Sequence, residues 1–242
     1  MPHSKPAGPV VFIVHTSFVS VQTLTELFQE LAPGFELRHI VDDSLLKEVL
    51  ANGGVTAAVR RRMRDYYKAA DLAGASLIFN QCSSVGEAAA DAARAVRVPV
   101  VKVDSAMAEL ACRTGSRIGV VATLETTLGP TCRLVAATAK RLRRPVVITR
   151  CLVKGAFEQL VCGQRERHNA MVLRTIRALT KRVDVVVCAQ GSMVAILPDL
   201  GHTRVPVLTS PGVTGSEVSF SASSFPTGGW RAECGADRVR ER

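Results

Sequence analysis

The chain has 242 residues, 47% hydrophobic and 21% charged, with a net charge of +10; that is enough material for a sizeable core, as one large domain or two small ones. No apolar run reaches the roughly 18 residues of a membrane span, and the polar, proline-containing start from Met1 to Pro9 is not a signal peptide. Cys82, Cys112, Cys132, Cys151, Cys162, Cys188 and Cys234 make no CxxC pair and no His-spaced cluster, which argues against structural zinc and a secreted disulfide framework and for a cytoplasmic setting.

Val10 to Val14 is a continuous apolar run, suited to a strand buried on both faces of a parallel sheet, and His15-Thr16-Ser17 follow at its carboxyl end. Val21 to Leu31 has helical spacing. Phe35 to Val41 reads as a second strand, closed by Asp42-Asp43-Ser44. Leu45 to Leu50 is a short helix and Val55 to Ala73 a longer one, basic on its outer face. Leu77-Ile78-Phe79 then ends abruptly in Asn80-Gln81-Cys82-Ser83-Ser84, before an alanine-rich helical segment from Ala88 to Val96. A thiol at such a strand–turn–helix junction has its thiolate stabilised by backbone N–H groups and the helix dipole; the bland alternative is an inert buried cysteine with two capping serines. Val98 to Val103 is a further strand, followed by Asp104-Ser105 and a helix from Met107 to Cys112.

At Arg117 the pattern starts again, with strands at Ile118 to Thr123, Pro145 to Ile148, Val183 to Cys188 and Val205 to Leu208, and helices at Leu128 to Lys140 and Gln164 to Thr180. Val14-His15-Thr16 lies over Val121-Ala122-Thr123, Ile78 to Ser84 over Val186 to Ser192, and Val98-Pro99-Val100 over Val205-Pro206-Val207, each separated by about 107 residues. The expected fold is therefore α/β: two pseudo-symmetric flavodoxin-like (Rossmann-like) units with parallel sheets, residues 1–104 and 105–210, with 211–222 as a candidate completion of the first, and a disordered tail at 223–242. Ligands in such sheets sit outside the carboxyl ends of the strands, so two facing units enclose a cleft between them. Its walls carry Thr16, Ser17, Cys82, Ser83, Ser84, Thr123, Thr126, Thr127, Gln190, Ser192, Thr209 and Ser210.

His15-Thr16-Ser17, Asn80 to Gly86, Gly119 to Thr123 with Thr126-Thr127, and Asp184 to Met193, in this order, resemble the Asp/Glu/hydantoin racemase superfamily over most of residues 10–213. The resemblance implies two pseudo-symmetric units with the active site between them, no cofactor, and often a homo-oligomer. It implies a cysteine from each half working as acid and base on opposite faces of a carbon next to a carboxylate. Carried over by position, Cys82 matches the first catalytic cysteine, and Thr16, Ser17, Ser83, Thr123, Thr126 and Thr127 match substrate-binding positions, with Ser84, Gly191 and Ser192 beside them. At the second cysteine's position this chain has Gln190; Cys188, two residues earlier and inside the strand, is an outside candidate.

Gln cannot trade protons at neutral pH, although it can donate a hydrogen bond to an enediolate oxygen. The leading expectation is thus a cofactor-independent isomerase, a racemase acting on a small carboxylic acid or amino acid. One-cysteine decarboxylase or maleate-isomerase-like chemistry is the alternative, and a non-catalytic carboxylate-binding protein the rival of another class. The basic runs Arg60 to Arg64 and Lys140 to Arg144 read as solvated helix faces, and with 5% aromatic residues no nucleic-acid partner is expected, nor a membrane or a metal. His15 reads as a helix cap or a catalytic group, Asp42 as a turn residue or a partner for a substrate ammonium, Asp104 as a cap, and His168 as a surface residue.

Overall fold

Val10–His15 (β1) is apolar at all but its last position because both of its faces are covered. Val11 and Ile13 pack with Leu24 and Phe28 of Val19–Leu31 (α1), while Phe12 and Val14 turn to the opposite side of the sheet. The computed structural model describes residues 8–210. Next to β1 lie Glu36–Val41 (β2) on one side and Leu77–Asn80 (β3) on the other, and Val100–Lys102 (β4) completes a parallel sheet in the order β2-β1-β3-β4. Ser44–Ala51 (α2) and Ala57–Leu72 (α3) cover the Phe12 face through Leu45, Val49, Val59, Met63 and Tyr67. The spacing of the α3 contributors keeps them on one stripe, and Arg61, Arg64 and Lys68 lie exposed on the other. Thr56 caps α3, its hydroxyl accepting from Val59 N at 3.1 Å. After β3 come a short 3-10 turn, Ser83–Val85, and Gly86–Ala93 (α4).

The second half repeats this plan. Ser105–Thr114 (α5), Arg117–Ala122 (β5), Glu125–Arg141 (α6), Val147–Leu152 (β6), Ala156–Val161 (α7), Arg165–Leu179 (α8) and Val185–Cys188 (β7) are followed by a 3-10 turn at Gly191–Ile196. Leu197–Leu200 (α9) and Val207–Leu208 (β8) close it, giving a second parallel sheet ordered β6-β5-β7-β8. Asp184 fastens the starts of β5 and β7: its carboxylate accepts from Ser116 N, Arg117 N and the Arg117 guanidinium at 2.6–3.1 Å. At Gly119 an added Cβ would stand 2.4 Å from Leu179 Cδ2, so the bare backbone there lets α8 seat on β5.

The equivalence of the halves extends to single hydrogen bonds. Gln81 N donates to Val14 O at 3.1 Å as Ala189 N does to Val121 O at 2.9 Å. Ile78 N reaches Pro99 O as Val186 N reaches Pro206 O, both at 2.9 Å. The expected strands are all present, most within two residues of their expected bounds; β6 continues to Leu152, beyond the expected Ile148. The helices α7 and α9 and the two 3-10 turns were not expected. The proposed completion at 211–222 and the tail at 223–242 fall outside the described residues. Among the described residues no helix is long and apolar enough to cross a membrane.

Candidate active site

The two sheets present their carboxyl ends to one another. Ser84, in the first 3-10 turn, meets Thr127 of α6 across the seam, hydroxyl to hydroxyl at 2.9 Å, both buried. Ser210, just after β8, donates to the Val103 carbonyl just after β4, and Arg133 of α6 pairs with Glu87 of α4. Ser210 and Val103 are themselves equivalent positions 107 residues apart, so this contact lies on the pseudo-twofold axis relating the halves. Around it stand the ends of β1 (Thr16, Ser17), β3 (Cys82, Ser83), β4 (Asp104), β5 (Thr123) and β7 (Gln190).

Cys82 and Gln190 occupy matching places. Each is the extended residue between a strand end and a 3-10 turn, with φ and ψ of −115° and 121° for Cys82 and −131° and 138° for Gln190. Cys82 is partly exposed and unbridged. Its backbone is held by Asn80, whose Nδ2 donates to the Cys82 carbonyl at 2.9 Å, leaving the thiol side chain out of that bond. In the second half the arrangement is reversed. Cys188 takes the place of Asn80, and the residue at the cysteine position is itself tied: Gln190 Oε1 accepts from Thr123 N at 2.6 Å and from Thr123 Oγ1 at 3.0 Å. With the amide oxygen engaged, the Gln190 Nε2–H group is what that side chain can offer a ligand.

Cys188 is not brought to the cleft. It is fully buried in β7 among Val121, Val186 and Met193, and burial pushes its thiol up to about 12, so it stays a protonated core residue. Thr16, Ser84, Thr123, Thr127, Thr209 and Ser210 are buried at the strand ends; Ser17, Ser83 and Thr126 are partly exposed; Gly191 and Ser192 are exposed. Thr126 Oγ1 is buried without a partner. Pro130, inside α6, also removes the N–H that would pair with the Thr126 carbonyl.

His15 lies behind the sheet end rather than in the cleft. It is fully buried; Nδ1 meets Ser20 Oγ of α1 at 2.8 Å and Nε2 meets His39 Nδ1 at 3.0 Å. Burial, then the charge of His39, brings its imidazole down to about 4. Asp42 is engaged by Ser44, Arg62 and Tyr66. The surface placement expected for His168 is corrected: it is 1% exposed, because it continues the Val172, Ile176, Leu179 stripe that α8 turns inward.

Asp104 is the residue sequence reasoning undervalued. Its place before a helix predicts a cap, yet it caps nothing with its side chain and is 3% exposed at the end of β4. The Ser83 hydroxyl and the Lys102 charge lie near its carboxyl, and its Oδ1 is buried without a partner. Burial raises the carboxyl above its ordinary range, against the opposing pull of Lys102 and Ser83. The available signal was its register: Asp104 directly follows Val103, the equivalent of Ser210.

No curated protein matches the chain in sequence. The sequence model of Asp/Glu/Hydantoin racemase matches residues 10–214. Among solved structures, an Asp/Glu racemase candidate from Yersinia pestis is similar at TM-score 0.65 and 15% identity, over 82% of this chain and 92% of that one. A glutamate racemase isoform from Bacillus anthracis is similar at TM-score 0.61 and 14% identity, over 84% and 77%. An aspartate racemase homologue from Pyrococcus horikoshii OT3 is similar at TM-score 0.58 and 20% identity, over 81% and 91%.

Proposed function

Since the chain belongs to the Asp/Glu/hydantoin racemase family, we propose that it is an enzyme of proton transfer at the carbon next to a carboxylate of a small acid or amino acid, and that one thiol, Cys82, does this work. The observation that carries the reading is the pairing of Cys82 with Gln190 at matching backbone positions on the two sides of the cleft. One side then holds a group that exchanges protons and the other a group that donates a hydrogen bond.

In this reading the substrate carboxylate is held by hydroxyls and backbone N–H groups at the ends of β1, β3 and β5, with Thr16, Ser17, Ser83, Thr123 and Thr126 as the contributors. The Cys82 thiolate takes the α-proton; the C–H electron pair moves into the carboxylate, giving an enediolate. Gln190 Nε2–H stabilises an enediolate oxygen without giving up its proton. The proton returns from Cys82 to the face it left. Isotope exchange with retention is the signature of this cycle, and inversion requires a second donor. The same half-reaction, run from a malonate that loses carbon dioxide, gives a one-thiol decarboxylase. The missing second thiol favours that as the second reading.

Proton NMR in heavy water with a panel of amino acids, hydroxy acids, malonates and maleate tests both. Loss of an α-proton signal in the wild type and not in Cys82→Ser is the expected result. Exchange at the wild-type rate in Cys82→Ser removes the thiol from the mechanism.

A further inference from the structure

Behind the Thr16-Ser17 strand end, His15 and His39 form the middle of a chain of five polar contacts. Ser20 Oγ donates to the Ser17 carbonyl at 3.0 Å and meets His15 Nδ1 at 2.8 Å. His15 Nε2 meets His39 Nδ1 of β2 at 3.0 Å, and His39 Nε2 stands 3.4 Å from Thr25 Oγ1 of α1. Thr25 Oγ1 in turn donates to the Val21 carbonyl at 2.8 Å. Both ends of the chain are carbonyl oxygens, which only accept. Each hydroxyl supplies one proton and each neutral imidazole supplies one, so four protons serve five contacts and one contact goes without. The gap falls where the contact is longest: 3.4 Å lies outside the ordinary hydrogen-bond range, and the other four, at 2.8–3.0 Å, lie inside it. With the gap between His39 Nε2 and Thr25, every remaining proton is assigned. His39 Nδ1–H donates to His15 Nε2, His15 Nδ1–H donates to Ser20 Oγ, and Ser20 donates to Ser17. Burial lowers both imidazoles, which keeps the pair neutral above pH 7.

We infer that His39 and His15 are positioning residues of the cleft: both protonated at Nδ1, they run one direction of hydrogen bonding from β2 through Ser20 to the Ser17 carbonyl, and so hold Ser17 at the strand end. Ser17 Oγ accepts from Val19 N at 3.3 Å, which leaves its own proton for a ligand's carboxylate. Neither imidazole touches the ligand; both act through Ser20. The bearing on the cleft rests on the proposed reading of Ser17 as a carboxylate contact, whereas the proton order does not.

The order is read from the 15N shifts of the imidazole nitrogens at pH 8, which separate protonated from bare nitrogens, on the full chain. The wild type is expected to show Nδ1–H in both rings. Ser20→Ala removes the acceptor of His15 Nδ1–H. The three contacts left are all satisfied only if both rings reverse to Nε2–H, with His15 donating to His39 and His39 to Thr25. Thr25→Val leaves the other three as they are, so neither ring should change. Nε2–H in either wild-type ring, no reversal in Ser20→Ala, or reversal in Thr25→Val each overturn the relay. Melting temperatures identify a variant that fails to fold; if that is Ser20→Ala, the wild type and Thr25→Val decide.

The effect on the cleft is read by alkylation of Cys82 with iodoacetate or iodoacetamide. With either one the thiolate sulfur bonds to the CH2 carbon as iodide leaves, and only iodoacetate carries a carboxylate. The ratio of the two rates cancels any change in the thiol itself. The wild type is expected to favour iodoacetate. Ser20→Ala should lower the ratio about fivefold, the size of one ordinary hydrogen bond, and Thr25→Val should leave it unchanged. A ratio in folded Ser20→Ala equal to wild type overturns the positioning role. No preference in the wild type overturns that role together with the carboxylate reading, whereas rings that fail to reverse overturn the relay and leave that reading standing.

Discussion

Gln190 shows how far one side chain decides the chemistry. Its oxygen is held by Thr123, so the side chain is fixed as a donor of N–H and barred from proton exchange. Gln190→Cys puts a thiol at the backbone position equivalent to Cys82. The expected outcome is exchange with inversion where the wild type exchanges with retention, read by chiral chromatography of the deuterated product. The variant also loses the acceptor for Thr123 N–H, which costs about 1–3 kcal/mol and lowers the melting temperature. His15 makes a second prediction. The unfolded imidazole takes a proton near 6.5 and the folded one only near 4, so the unfolded state binds more protons between them. Stability is then full above pH 6.5 and falls as pH drops toward 4; urea titrations at pH 7, 5.5 and 4.5 check this, and the slope should flatten in His15→Asn. The Cys82 turn was legible in the sequence because a thiol and two hydroxyls end an apolar run. Asp104 and His168 were not, because depth of burial is set by residues far away in the chain.

At the level of elements, hydrophobic pattern carried the strands. β1, β3, β5 and β7 are apolar because they are covered on both faces, and such runs are read without knowing their neighbours. α7 and α9 span only Ala156–Val161 and Leu197–Leu200, too short to show a helical period, and were missed for that reason. The close approach of α8 to β5 depends on the absence of a side chain at position 119. Gly119→Ala forces its methyl into Leu179, a side chain 4% exposed with little room to move. The expected cost is about 1–3 kcal/mol, measurable as a lower denaturation midpoint. Thr56→Ala removes the α3 cap and should cost about 1 kcal/mol in the same measurement.

For the whole molecule, the 107-residue self-similarity carried the architecture, and the cleft followed from it; what the sequence does not contain is how the two sheets touch. Each half closes around its own apolar clusters: Phe12, Met63 and Tyr67 in the first, Ile118, Val135 and Val187 in the second. Between the halves, the contacts described are hydroxyl to hydroxyl, hydroxyl to carbonyl and guanidinium to carboxylate. Polar contacts of this kind exchange readily with water and bind two cores loosely compared with shared apolar surface. Calorimetry of the empty protein should accordingly resolve two melting steps, and Ser84→Ala should move them further apart. A carboxylate that bridges hydroxyls from both sheets stabilises only the joined state, by an amount that grows with its concentration over its Kd. At saturation the two steps should merge. The number of cooperative units in this chain is then a property of its occupancy: filled, it melts as one body, and empty, as two.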